Sequence, residues 1–349
     1  MNPIVFNKNK KSPSVFPVIL CLLALLSPSL AVFSDEVSSE NTAPLLQPEL
    51  RYEPIQPLRQ AEGLNPHKIS LGERLFHDRR LGRDNDMACS SCHDIKNNGA
   101  DHHTHTPGRD GTTLDVNTLT VFNSSLNHQQ FWDGHARNLE DQIDAVVTNA
   151  KEFATTWSAI IGKLEQDTGY VRSFTEIYPE GITADNIRNA IATFGRSLIT
   201  INSPFDRFLL GDANAISPEA KAGYRLFKTY GCVACHQGSN VGGNLFVKLG
   251  VFKDYFAVRG NPTRADLGRF NITGKERDRH VFRVPSLRLA ALTPPYFHDG
   301  SVTTLAEAVS IMAEHQLGRT IPGQDILRIV AFLESLPGEY RGQPLGHKP

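Results

Sequence analysis

With 349 residues, 40% of them hydrophobic, the chain is long enough for two domains that each bury a core. Its 36 Lys and Arg against 37 Asp and Glu leave it close to neutral. That balance excludes the concentrated basic surface nucleic acid needs for counterion release, so no nucleic-acid partner is expected.

The first expected element is a secretory signal peptide over residues 1–31. Lys8, Lys10 and Lys11 precede an apolar run from Val15 to Leu30, which ends on Ser29-Leu30-Ala31. Pro17, Ser27, Pro28 and Ser29 interrupt the run and count against an uncleaved membrane anchor. Cys21 follows Leu20 rather than the small residue a lipoprotein signal wants. Cleavage near Ala31 removes three of the 36 basic residues and no acid, which leaves 33 against 37 on a mature chain placed in the periplasm. Residues 32–50 and 341–349 are expected to be disordered.

Ser70 and Glu73 make a capping-box pattern, predicting a short helix that carries Gly72-Glu73-Arg74-Leu75-Phe76. Cys89-Ser90-Ser91-Cys92-His93 follows. The arrangement then repeats: Ser217-Pro218-Glu219 starts a helix with Gly223-Tyr224-Arg225-Leu226-Phe227, ahead of Cys232-Val233-Ala234-Cys235-His236. Cys-x-x-Cys-His is the attachment pattern of c-type haem. Its two thiols meet the vinyl groups of one porphyrin, and the adjacent histidine reaches the iron from the same face. A redox dithiol needs no histidine beside it, and a zinc site needs four ligands, which two distant pairs supply only by meeting across domains. Secretion favours disulfides, yet both pairs end in histidine. Cys89, Cys92, His93 and Cys232, Cys235, His236 are therefore predicted to hold two haem c groups.

Each half closes with an amphipathic helix, Ile187, Ala190, Ile191, Phe194 and Leu198 in one and Ile326, Ile329, Val330, Leu333 and Leu336 in the other. A helix before the haem motif and another at the end is the plan of a small cytochrome c domain. The chain thus reads as mainly α, two tandem cytochrome c-like domains over 50–205 and 206–340, joined through turn-rich Asn202-Ser203-Pro204 and Gly211-Asp212-Ala213-Asn214.

Sixth ligands decide which iron reacts, because a filled axial site excludes substrate. Of three methionines, Met1 leaves with the signal and Met87 stands too close to Cys89 to fold over that haem. Met312, in an expected helix from Ala306, remains for the second iron, with a buried core methionine as the alternative. Around the first haem, His102, His103 and His105 are either a sixth ligand or an exposed loop cluster.

At Phe131-Trp132-Asp133-Gly134 and at Leu292-Thr293-Pro294-Pro295-Tyr296-Phe297-His298-Asp299-Gly300 the chain resembles the bacterial dihaem cytochrome c peroxidase family, which includes the MauG-type enzymes; the resemblance runs from about residue 60 to 337. It implies a peroxidatic first haem with His93 proximal, Glu152 as catalytic acid–base, Gln142 beside it, and Trp132 between the haems. It implies an electron-entry second haem with His236 proximal and Met312 distal, and a calcium ion held by Asn117, Thr293 and Pro295. Hydrogen peroxide would be the substrate, with a monohaem cytochrome c or a small copper protein as electron donor. A homodimer is left open. Where many members carry a second histidine that blocks the peroxidatic iron, this chain has Arg109, so that iron is expected to be open already in the oxidised protein. The alternatives are a MauG-like oxidase acting on a partner protein, against which Met312 argues because that branch uses tyrosine, and a non-catalytic dihaem electron carrier. His128, His135, His280, His298 and His315 receive no role.

Overall fold

A computed structural model describes residues 52–346; the expected signal peptide and residues 32–50 lie outside them. In chain order the helices are α1 (Pro66–Phe76), α2 (Leu139–Thr148), α3 (Trp157–Leu164), α4 (Thr168–Ile177), α5 (Ala184–Ser197), α6 (Pro204–Leu209), α7 (Pro218–Tyr230), α8 (Tyr255–Arg259), α9 (Phe270–Thr273), α10 (Leu305–Ile311) and α11 (Gly323–Glu334). Strand is confined to two short antiparallel pairs, β1 (Phe246–Lys248) with β2 (Val281–Arg283) and β3 (Glu339–Tyr340) with β4 (Gln343–Pro344). The mainly α expectation holds. No described helix is long and apolar enough to cross a membrane.

Local chemistry sets the helix starts. Ser217 accepts from the Ala220 N–H at 3.1 Å with Pro218 next to it, as expected, and Gly231 ends α7 in the left-handed region (φ 96°). For α1 the expected start at Ser70 is wrong. Asn65 caps the His67 and Lys68 N–H groups and Pro66 takes the first position, a stronger start one turn upstream.

The repeat seen in the sequence is a repeat of helix crossings, α1 on α5 and α7 on α11. Each crossing sits on the glycine of its motif. A Cβ on Gly72 would stand 2.0 Å from the Ala190 carbonyl oxygen, and one on Gly223 would stand 1.8 Å from that of Arg328. Leu75, Ile143, Ile160, Phe174, Ile187 and Ala190 fill the core around the first crossing. Phe205, Tyr224, Phe227, Ile329, Phe332 and Leu336 fill the core around the second, joined by Ile55 from the N-terminal strap. Each leucine, isoleucine and phenylalanine among them contributes roughly 1.5–3 kcal/mol when fully buried.

The C-terminal end reaches back the other way. Residues 341–346 were expected to be disordered, but Glu339 N–H donates to Ile201 O at 2.7 Å, Tyr340 packs edge-on against Phe122, Arg341 pairs with Glu73 and Leu345 joins a cluster with Phe76 and Phe194. Apolar Tyr340 and Leu345 find a shared groove there, which the polar composition around them conceals.

Candidate functional site

Each Cys-x-x-Cys-His run folds as one tight turn. Cys92 and His93 N–H both donate to Cys89 O at 3.3 and 3.0 Å, and Cys235 and His236 N–H donate to Cys232 O at 3.2 and 3.0 Å. The turns place thiols and imidazole on the wall of a cavity, one behind Cys89, Cys92 and His93 and a larger one behind Cys232, Cys235 and His236. The segment after Asn117 borders both: Asn117 to Thr120 line the second cavity and Val121 lines the first.

Burial pulls both histidines below their ordinary pKa, His236 to about 4. His93 Nδ1 stands 3.2 Å from Gly99 O and His236 Nδ1 3.4 Å from Val241 O. A carbonyl only accepts, so each Nδ1 holds the ring proton and each neutral Nε2 keeps a lone pair for a metal. The thiols are pushed up by burial, Cys89 and Cys92 to about 12 and Cys232 to about 11. Such protonated thiols lack the depressed pKa of a redox dithiol. Paired neutral thiols beside a free imidazole nitrogen on a mostly apolar wall are the donor set covalent haem requires.

Ser124, Gln142 on α2 and Glu152 in the turn that follows it also line the first cavity from outside the haem turn. That turn closes with Glu152 N–H on Asn149 O at 3.0 Å, while Asn149 Nδ2 donates to Glu152 Oε2 at 2.7 Å. Burial pushes the half-buried Glu152 carboxyl up to about 7, against the opposing pull of Asn149 and the charge of His135. Arg109 is absent from the cavity wall. Its N–H binds Lys151 O at 2.9 Å, and its guanidinium turns onto Asp84 and Asp86. His102, His103 and His105 line neither cavity; His102 contacts the carbonyls of Pro294 and Asn97 through its two ring nitrogens.

Met312 lines the second cavity where α10 passes into a π turn, Met312–Gln316. Trp132 lines it too, with Nε1 donating to Asn117 O at 2.9 Å. The two family motifs make twin turns. Phe131 (φ 66°) and Gly134 (φ 73°) lie between bridge partners Gln130 and Ala136, as Phe297 (φ 67°) and Gly300 (φ 60°) lie between Tyr296 and Val302. Left-handed phenylalanines are unusual strain, worth about 1–3 kcal/mol each, of the kind that collects at functional sites. In these twins Trp132 and His298 occupy matching places, and their rings meet edge-on at 6.4 Å.

Asn117, Thr293 and Pro295 all line the second cavity. Asn117 spends its Nδ2 on His103 O at 2.8 Å, which leaves Oδ1 as an acceptor. Sequence reasoning gave His298 no role, yet it is 2% exposed, receives the Asn117 N–H on its carbonyl at 2.7 Å, and joins Asp266 at 2.7 Å, which Arg259 also pairs. Its place beside Asp299-Gly300, matching Trp132 beside Asp133-Gly134, was the available signal.

Comparison with known proteins agrees with this geometry. A family model described as di-haem cytochrome c peroxidase matches residues 66–214. The chain is 44% identical over 304 residues to cytochrome c peroxidase Ccp of Escherichia coli (strain K12), covering 87% of this chain and 64% of that protein. It is 41% identical to a cytochrome c551 peroxidase of Nitrosomonas europaea, covering 82% and 85%, and 31% identical to the methylamine utilization protein MauG of Methylophilus methylotrophus, covering 79% and 84%. The crystal structure of a MauG-like protein associated with microbial copper homeostasis superposes with a TM-score of 0.70 at 27% identity, covering 82% of this chain and 93% of that one. Similar to these peroxidases along most of its length, the chain belongs to the dihaem cytochrome c peroxidase family.

Proposed function

We propose that this protein reduces hydrogen peroxide to water in the periplasm, with electrons delivered singly by a small cytochrome c or copper protein. Residues 50–205 form the peroxidatic domain and 206–340 the electron-entry domain. Bound at the two cavities, haem iron supplies a coordination place for peroxide and the means to pass electrons. His93 Nε2 and His236 Nε2 would each hold one iron, and Met312 Sδ, on the wall of the second cavity, would be a further ligand there. Substrate would then be taken at the first centre.

The observation that carries this reading is Glu152, a carboxyl pushed up to about 7 on the wall of the cavity that His93 lines. A group with that pKa exchanges its proton near neutrality. Its carboxylate would take the proton from one peroxide oxygen and return it to the other, which leaves as water when the O–O bond breaks; the two donor electrons and two further protons carry the remaining oxygen to a second water. Asn149 fixes the orientation of Oε2, and Gln142 offers an amide to the same space. Trp132, bonded to the segment that borders both cavities, shortens the gap electrons cross. Asn117, Thr293 and Pro295 would hold a calcium ion, which would stiffen that segment.

The peroxidases of Escherichia coli and Nitrosomonas europaea are more similar to this chain, at 44% and 41% identity, than the MauG of Methylophilus methylotrophus at 31%, and Met312 on the second cavity wall fits an electron-entry centre. The decisive experiment replaces Glu152 by Gln and follows donor-dependent peroxide consumption. A fall of about 10²–10⁴-fold is expected with both haems in place; an unchanged rate refutes the role of Glu152.

A further inference from the structure

The wall of the second cavity holds two cations, Lys248 and Arg283, and no carboxylate. Lys248 stands exposed at the end of β1. Arg283 is only 3% exposed. Its Nε donates to Phe131 O at 3.1 Å and its backbone N–H to Trp132 O at 2.7 Å. Its Nη1 and Nη2 have no acceptor among the described residues, and no acid pairs with it. The other deeply buried arginines differ. Arg288 spends its guanidinium on Asp206, Ser239 O and Gln56 O, and Arg109 pairs both terminal nitrogens with aspartates, leaving only its buried Nε without a partner.

A buried guanidinium with both terminal nitrogens unspent is one half of a fork-shaped pair whose other half is missing. The cost of keeping such a cation dry falls only when an anion reaches it. The cavity it borders is the one that Cys232, Cys235 and His236 also line. The porphyrin expected there brings two propionate carboxylates.

We propose that Arg283 is the carboxylate-binding residue of the second haem, gripping a propionate through Nη1 and Nη2. The inference rests on reading this cavity as a haem site. It gives the residue two jobs. By neutralising a negative charge near the iron it favours the reduced form, and so raises the potential of the electron-entry centre. By holding the propionate while bonded to the Phe131 and Trp132 carbonyls, it ties the porphyrin edge to the turn that positions Trp132.

A chloride or phosphate ion from solution is the other source of the same chemistry, and the test separates the two. In holoprotein with both haems counted spectroscopically and by mass, the potential of the second haem is titrated in wild type and Arg283→Gln across the neutral pH range and in chloride, sulfate and phosphate buffers of equal ionic strength. The wild-type potential is expected to be independent of pH and of the anion, because a propionate paired with a guanidinium stays ionised. In Arg283→Gln the potential is expected to fall and to become proton-linked, as the unpaired carboxyl titrates.

A variant with full haem content and an unchanged potential overturns the Arg283 assignment alone, and a wild-type potential that follows the anion assigns the site to a solution ion instead. Should Arg283→Gln not accumulate, a proton-linked wild-type potential overturns the assignment by itself. Absence of porphyrin from Cys232 and Cys235 overturns the reading of the cavity and this inference with it.

Discussion

Arg109, 5% exposed, lies with its guanidinium against the Asp86 carboxylate and is not on the wall of the cavity that Glu152 lines. Asp84 flanks it on the other side, and the pairs hold the side chain well above its ordinary pKa through the bond to Asp86. A cation committed to two aspartates cannot swing over an iron. The oxidised protein is therefore expected to bind peroxide or cyanide at the first haem before any reductant is added. Rapid mixing of the fully oxidised protein with one equivalent of ligand checks this: a Soret shift complete within the mixing experiment is expected, and a silent spectrum that responds only after partial reduction would remove the argument.

Glu152 sets the pH dependence. Its carboxyl is raised from 4.5 to about 7, so the proton-accepting form accumulates only above about 7. The rate constant for peroxide binding is expected to rise with pH through that value and then level, and Glu152→Gln should flatten the profile. Stability runs the opposite way. Between 4.5 and 7 the folded state holds a proton the unfolded chain has released, so this group's contribution falls as pH rises through that window. Thermal melts of the two proteins at either end of the window, converging at the acid end, would show it; parallel curves would not fit.

Asn149 donates to the charged form of Glu152 at 2.7 Å and so lowers its pKa. Replacing Asn149 by Ala should move the kinetic pKa upward while leaving the plateau rate within about tenfold, since the carboxyl itself survives. A downward shift contradicts the hydrogen-bond direction assigned here.

Met312 lines the second cavity from the end of α10. Met312→Ala should lower the potential of the second haem, because His/Met ligation is what raises it. Donor-dependent turnover is expected to fall with it, and direct peroxide binding at the first haem should be spared. An unaltered potential would mark Met312 as packing only.

Gly72 and Gly223 let two helix pairs touch backbone to backbone. With ideal Cβ positions 2.0 and 1.8 Å from carbonyl oxygens, Gly72→Ala and Gly223→Ala should each cost about 1–3 kcal/mol or more. Melting temperatures that match wild type would mean the crossings open at no cost.

How much of this was legible beforehand depended on the range of the interactions. The haem turns were, because Cys89 to His93 and Cys232 to His236 close on their own backbone within five residues. Ser217-Pro218 was legible for the same reason. Ser70 misled, since a capping pattern inside a helix looks the same as one at its start until Asn65-Pro66 is seen to act first. The strap at 341–346 was missed because its partners Glu73, Phe122 and Phe194 are remote in sequence.

Glu152 and Met312 were reachable by resemblance, but their environments were not. By itself the sequence determined the covalent chemistry, two Cys-x-x-Cys-His sites in two helical repeats, since short-range geometry suffices for it. Only the tertiary structure decided that Arg109 is paired with two aspartates off the wall of the first cavity, that Glu152 is dry enough to be raised, and that Arg283 is buried without an acid. Burial and charge pairing are sums over neighbours far apart along the chain, and no local pattern of residues encodes them.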